Sequence, residues 1–179
     1  IRGKLSADIA EEVGLNQVPF AAVGTHDTAS AVAAIPGSGT FAFCSSGTWS
    51  LLGVKIPKPL TDESSFQANY SNEGGVGYIR YLKNIMGMWI FQETCRQWKR
   101  EGKEFNYKIL DDAASNAKPY ISFINPDDPV FSPFGNMPKR IKEFCEKTGQ
   151  PVPETDGEIC RCIYQSLAMK YRQALENLE

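Results

Sequence analysis

Apolar and polar positions alternate along the chain with two different periods, and each change of period marks an element. Residues 4–14 place Ile9, Val13 and neighbouring alanines on one side and stop at Gly14, which predicts a helix. Pro19 to Gly24 (PFAAVG) is an apolar run of strand length. Thr25-His26-Asp27 then leads into TASAVAA, a small-residue segment suited to a helix lying close on a sheet. Beyond the turn Pro36-Gly37-Ser38-Gly39, the β-rich runs Thr40–Ser45 and Thr48–Val54 flank Ser46-Gly47, the pattern of a tight hairpin. The stretch IPKPLTDESS reads as a loop. Residues 66–72 and 76–83 predict a second hairpin around Glu73-Gly74-Gly75. Asn84 is placed to cap a helix from Ile85 to about Arg100 that carries Met88, Trp89, Phe91, Cys95 and Trp98.

The second half is predominantly helical. Tyr107–Ala117 and Met137–Thr148 have helical spacing, Ile121–Ile124 reads as a short strand, and the proline-rich stretch 125–138 as an irregular loop. The clearest element comes last. Thr155-Asp156-Gly157-Glu158 has the form of a capping box, and Ile159, Ile163, Leu167, Tyr171, Leu175 and Leu178 follow at helical intervals. Strands and hairpins followed by helices predict an α/β or α+β arrangement, not a bundle or a sandwich. The chain opens without Met and closes inside a helical pattern at ALENLE, so a piece of a longer protein is expected.

Composition narrows the function classes. The 19 Lys and Arg against 21 Asp and Glu lack the basic excess of a nucleic-acid or anionic-membrane binder. No apolar run approaches the roughly 20 residues that span a bilayer. The five cysteines include no CxxC, and with a single histidine a zinc site is not expected. Reduced thiols in a cytosolic protein are the expectation.

Three segments are candidates for chemistry. The first is Gly24-Thr25-His26-Asp27-Thr28. An acid just past a strand and at a helix start suits a helix N-cap, for which Thr25 or Asp27 would serve. It equally suits a carboxylate presented where α/β sheets hold their ligands. His26 beside it is either a structural histidine or a substrate contact. The second is Ser45-Ser46-Gly47-Thr48-Trp49-Ser50, either a plain turn or a tip whose amides and hydroxyls converge on phosphate. The third is Leu82-Lys83-Asn84-Ile85-Met86-Gly87 with Gln92 beyond it. These residues alone define no more than a possible phosphate-handling α/β domain.

Taken together, Val18–Val32 (VPFAAVGTHDTASAV), Ser45–Gly53 (SSGTWSLLG) and Leu82–Gly87 (LKNIMG) resemble the FGGY carbohydrate kinases of the actin-like ATPase superfamily. The likeness continues through Phe123–Pro126 and Arg161–Ala168 and covers nearly the whole chain. It implies part of an actin-like ATPase (ribonuclease H-like) α/β domain, a mixed sheet with flanking helices. Residues 1–179 would be the first part of the second kinase domain, without the N-terminal domain and the terminal adenosine-binding segment. The implied reaction moves the γ-phosphoryl of ATP, with Mg²⁺, to the 1-hydroxyl of L-rhamnulose. By the same resemblance Asp27 is the proton acceptor, and His26, Asp27, Thr28 and Asn84 meet the sugar. Thr48, Gln92 and Gly47 meet ATP, and no residue is assigned as a metal ligand. Partners would be the ketose and ATP, with no nucleic acid and no membrane, in the cytoplasm. Such enzymes can also carry a cystine at the positions of Cys145 and Cys162; two buried thiols are the other possibility. Two other readings are another ketose kinase of the family, for fuculose or xylulose, and a non-catalytic nucleotide- or sugar-binding module.

Overall fold

The computed structural model describes residues 1–22 and 26–178. The chain begins with β1 (Gly3–Lys4), α1 (Ala7–Glu12) and β2 (Pro19–Phe20), with β1 and β2 paired antiparallel. The first helix is shorter than its sequence pattern, and the predicted strand survives only over Pro19–Phe20. Val23 and Gly24 of that strand, and Thr25 as its possible cap, lie outside the described residues. Next come α2 (Asp27–Ala33), β3 (Ala42–Ser46), β4 (Trp49–Ile56), α3 (Glu63–Gln67), β5 (Ser71–Gly74) and β6 (Ile79–Met86). The rest is helical: α4 (Trp89–Arg100), α5 (Tyr107–Asn116), a 3₁₀ turn at Pro129–Phe131, α6 (Met137–Lys147) and α7 (Asp156–Glu176).

The first predicted hairpin forms, and the second forms with other bounds: residues 66–67 end α3, Glu73 and Gly74 belong to β5, and the turn falls at 75–78. The two hairpins join in one four-stranded sheet of order β3-β4-β6-β5. Every pairing in it is antiparallel; the parallel part of a mixed sheet is not among the described residues. One face is covered by α2, whose Val32 packs with Phe43 and Leu82. The other is covered by the end of α7, where Ala174 meets Leu52 and Ile85. The tyrosines tie this second layer down: Tyr171 and Ser50 share a hydrogen bond of 2.6 Å, and Tyr70 donates to the Ala174 carbonyl at 2.5 Å. The result is a helix–sheet–helix stack with a larger helical core beside it, built from α4, α5, α6 and α7 around Trp98, Phe131, Ile141 and Ile163.

Three local readings are corrected. Asn84 caps no helix; it sits inside β6, and α4 begins at Trp89 after the break at Gly87. An eight-residue strand in register with Trp49–Ile56 outweighs one local cap signal. Residues 121–124 form no strand. Their backbone is satisfied by side chains instead: the Phe123 and Ile124 amides donate to Gln150 and Ser166. The loop predicted over 56–65 contains the start of α3, capped by Asp62, which accepts from the Ser65 amide at 2.8 Å and from the Ser64 hydroxyl. These bonds lower the Asp62 pKa to about 2. The capping box at α7 forms as its sequence predicts, with Thr155 and Glu158 bonded reciprocally.

Cys145 and Cys162 face each other as free, hydrogen-bonded thiols in the helical core. The bond from Cys162 favours the Cys145 thiolate and lowers its pKa. The same bond, with burial, drives Cys162 up.

Candidate active site

The sheet brings two of the three candidate segments into one row. Ser45 stands opposite Leu51, and Leu51 opposite Asn84, across β3, β4 and β6. Side chains alternate along a strand, so Asn84 shares the face of Leu82, on which α2 lies. Asn84 is exposed there. Residues 34–41 link α2 to β3. The end of α2 sits by the start of β3, where Val32 packs on Phe43.

Asp27 is the first residue of α2, and its N-cap is His26, which makes no side-chain cap bond. The Asp27 carboxylate instead accepts from the Thr28 amide at 2.7 Å and, more loosely, from the Thr28 hydroxyl at 3.4 Å. His26 Nδ1 is 3.2 Å from the same oxygen. One carboxylate oxygen carries all three contacts, and the side chain is 94% exposed. The acid is thus oriented by its neighbours yet open to a ligand.

The β3–β4 tip is braced from α4. Gly47 and Thr48 give their carbonyls to the amides of Met88 and Trp89, at 2.9 and 3.1 Å. The Thr48 hydroxyl donates to Gln92 Oε1 at 3.2 Å, joining residues 44 apart in sequence. Thr48 and Gln92, singled out separately in the sequence, are therefore one unit. Gly87 makes this docking possible: a Cβ there would stand 2.6 Å from Ser50 Oγ and 2.8 Å from the Gly47 carbonyl. Gly87→Ala is expected to push the tip away. The cost is about 1–3 kcal/mol in thermal unfolding, and the Gly47 and Thr48 amide NMR signals should shift. Unchanged signals with an unchanged melting point would show that the tip does not rest on this glycine.

Sequence reasoning missed Glu93. Its side chain is fully buried on α4, where it accepts from Arg96 at 2.8 Å, Arg100 at 3.1 Å and the Gly135 amide at 3.1 Å. Burial pushes its pKa up, but the bonds from Arg96, Gly135 and Arg100 outweigh that and the net shift is downward. Arginines at i+3 and i+7 were the only signal. An open groove of about 810 Å³ lies elsewhere, between Phe123–Pro126 and the second half of α7. None of the candidate residues lines it.

The candidate segments thus present an acid open to solvent at a helix start, a braced hydroxyl-bearing tip and an exposed amide side chain on the α2-covered face of the sheet. Comparison with known proteins gives the class. Residues 42–179 match the C-terminal domain of the FGGY family of carbohydrate kinases, and the chain belongs to that family. Among similar proteins, the rhamnulokinase of Bacteroides thetaiotaomicron is 46% identical over 98% of this chain and 36% of its own length. The rhamnulokinase of Pectobacterium atrosepticum is 43% identical over 90% of the chain and 32% of its own length. That of Bacillus subtilis is 40% identical over 99% and 36%. The chain thus spans about a third of the length of the curated relatives it matches. The helix–sheet–helix stack is consistent with the actin-like ATPase fold. Among the described residues no helix is long and apolar enough to cross a membrane.

Proposed function

We propose that this chain is the first part of the second domain of a longer kinase that phosphorylates L-rhamnulose at its 1-hydroxyl, with ATP and Mg²⁺, in the cytoplasm. The observation that carries the reading is the Thr48–Gln92 hydrogen bond, which couples the hydroxyl of the hairpin tip to α4. It is the contact expected of two residues that grip one nucleotide. The names of the similar proteins supply the ketose.

In this reading Asp27 orients the sugar hydroxyl and accepts its proton as the oxygen bonds to phosphorus and ADP departs. A carboxylate is a weak base for an alcohol. It suffices because phosphoryl transfer passes through a loose transition state, in which the proton leaves late and positioning supplies most of the rate. His26 and Thr28 flank the acid and meet the sugar, as does Asn84 from the sheet. Gly47, Thr48 and Gln92 meet the nucleotide; the Gly47 amide is taken by the Trp49 carbonyl and the Thr48 proton rests on Gln92 Oε1, so that proton turns from Gln92 to a phosphate oxygen when ATP binds. Among the described residues no cluster of three or more His, Cys, Asp or Glu is positioned around a cation. Mg²⁺ would be held largely by the ATP phosphates and water and would offset their charge.

The test is turnover of the full-length protein across ketoses in an ADP-release assay. L-Rhamnulose is expected to give the highest kcat/KM. Equal or better use of L-fuculose or D-xylulose would move the assignment to another ketose kinase. No ATP or sugar binding by calorimetry would remove the kinase reading. Residues 1–179 alone are expected to turn over at least about 10³-fold more slowly, because half of the site that must align the reactants is missing.

A further inference from the structure

Glu93 raises a question that folding does not answer. A buried carboxylate is costly, and its arginine partners come from its own helix. Its third bond leaves the helix and reaches the Gly135 amide, in the loop between the 3₁₀ turn and α6. That loop is clasped at two further points. Arg140 donates to the carbonyls of Pro133 and Phe134, the latter at 2.8 Å. The Trp89 indole donates to the Phe131 carbonyl at 2.9 Å. Gly135 itself takes φ +129°, a conformation side chains disfavour.

What these anchors hold is Phe134, 71% exposed. Its ring meets Trp89 edge-on, with centroids 4.8 Å apart. Holding an apolar ring out in water gains no burial energy. The ring is joined to the braced tip, however, through Trp89. Trp89 opens α4, and its amide binds the Thr48 carbonyl. Gln92, one turn further on the same strip of the helix, binds the Thr48 hydroxyl. A phosphate grip joined to a preordered aromatic ring matches a nucleoside phosphate: polar tip to the phosphates, ring face to the base.

We propose that the 131–136 loop is part of the nucleotide subsite, with Phe134 stacking on the purine base and Glu93 as the positioning residue that fixes it. The inference rests on the reading of Thr48 and Gln92 as the nucleotide grip. Phe134 is held at the loop tip before the nucleotide arrives, so stacking requires little ordering on binding. The stack accepts any purine and favours purines over the smaller pyrimidines.

The experiment measures KM for ATP, KM for the ketose and kcat in the full-length kinase. Phe134→Ala is expected to raise KM for ATP about tenfold while leaving KM for the ketose unchanged. Phe134→Trp should restore it. The preference for ATP over CTP should shrink in the Ala variant. Glu93→Gln should show the same selective rise. Arg140→Gln frees the loop from the α6 side without stranding a buried charge, and should raise KM for ATP about threefold. If Gln92→Ala raises KM for ATP but Phe134→Ala and Arg140→Gln do not, the loop lies outside the subsite and the proposal is overturned. If neither Gln92→Ala nor Thr48→Val affects ATP, the nucleotide grip is misassigned and the inference falls with it.

Discussion

Asp27→Asn in the full-length kinase is expected to lower kcat by about 10²- to 10⁴-fold, the range assigned to a positioned proton acceptor. The substitution keeps the shape of the side chain. Its amide oxygen can still accept from the Thr28 amide now 2.7 Å from the carboxylate, so the first turn of α2 should keep its geometry. What is lost is the ability to take the proton of the sugar hydroxyl. KM for ATP should stay within about twofold, because Thr48 and Gln92 sit on the hairpin and α4, with no bond to Asp27. The pattern of a collapsed kcat with preserved ATP binding separates a chemical role from a cap. A cap-only Asp27 would leave turnover near wild type and change only the melting point. Steady-state kinetics with calorimetric ATP binding on the same preparation distinguishes the two.

His26 gives a control for that experiment. Its Nδ1 lies 3.2 Å from the Asp27 oxygen, and in the proposed roles it orients the acid while Asp27 is the acceptor. A loss at His26 comparable to that at Asp27 would shift the chemistry to the histidine.

Much of this arrangement was legible in the sequence, for identifiable reasons. The α7 capping box and its helical stripe are local signals, and both appear as written. The hairpin at Ser46-Gly47 is local too. Asn84 shows where local reading fails. Its cap signal is genuine as a pattern, but pairing with β4 decides the conformation, and that pairing sets Asn84 opposite the sequence-distant Leu51. The correction matters for the site: as a cap Asn84 would have stood at a helix end, whereas in β6 it stands in a row with Ser45 on the face covered by α2. The stretch 121–124 failed in the opposite way. Its apolar alternation is strand-like, yet Gln150 and Ser166 supply the bonds a neighbouring strand would have given. Glu93 was invisible because an acid amid arginines on a helix reads as a solvated face. Only the packing of α6 and its preceding loop over α4 buries it.

Trp98→Ala is expected to produce the largest loss of stability, about 3–5 kcal/mol. Trp98 is 1% exposed on α4, at the centre of the helical core. Phe105 packs edge-on to it at 5.9 Å, and the Lys103 ammonium stands 5.2 Å over the ring. The same Lys103 bridges to Asp156 in the first turn of α7 at 2.7 Å. Removing the indole therefore leaves a cavity and also releases the 101–106 connection that fastens α4 to the start of α7. Surrounding helices are held by hydrogen-bonded loops and cannot collapse fully into the gap, which places the cost at the upper part of the large-to-small range. With typical domain stabilities of about 5–15 kcal/mol, such a loss is a large fraction of the total. Urea unfolding of the 179-residue chain should show a lower midpoint at an unchanged slope, since the surface exposed on unfolding is nearly the same. Trp49→Ala is the control. Half exposed at the start of β4, it should cost no more than about 1 kcal/mol. Similar losses at the two tryptophans would mean that α4 is not seated by the core around Trp98. The brace that α4 gives to Thr48 through Gln92 would then need another support.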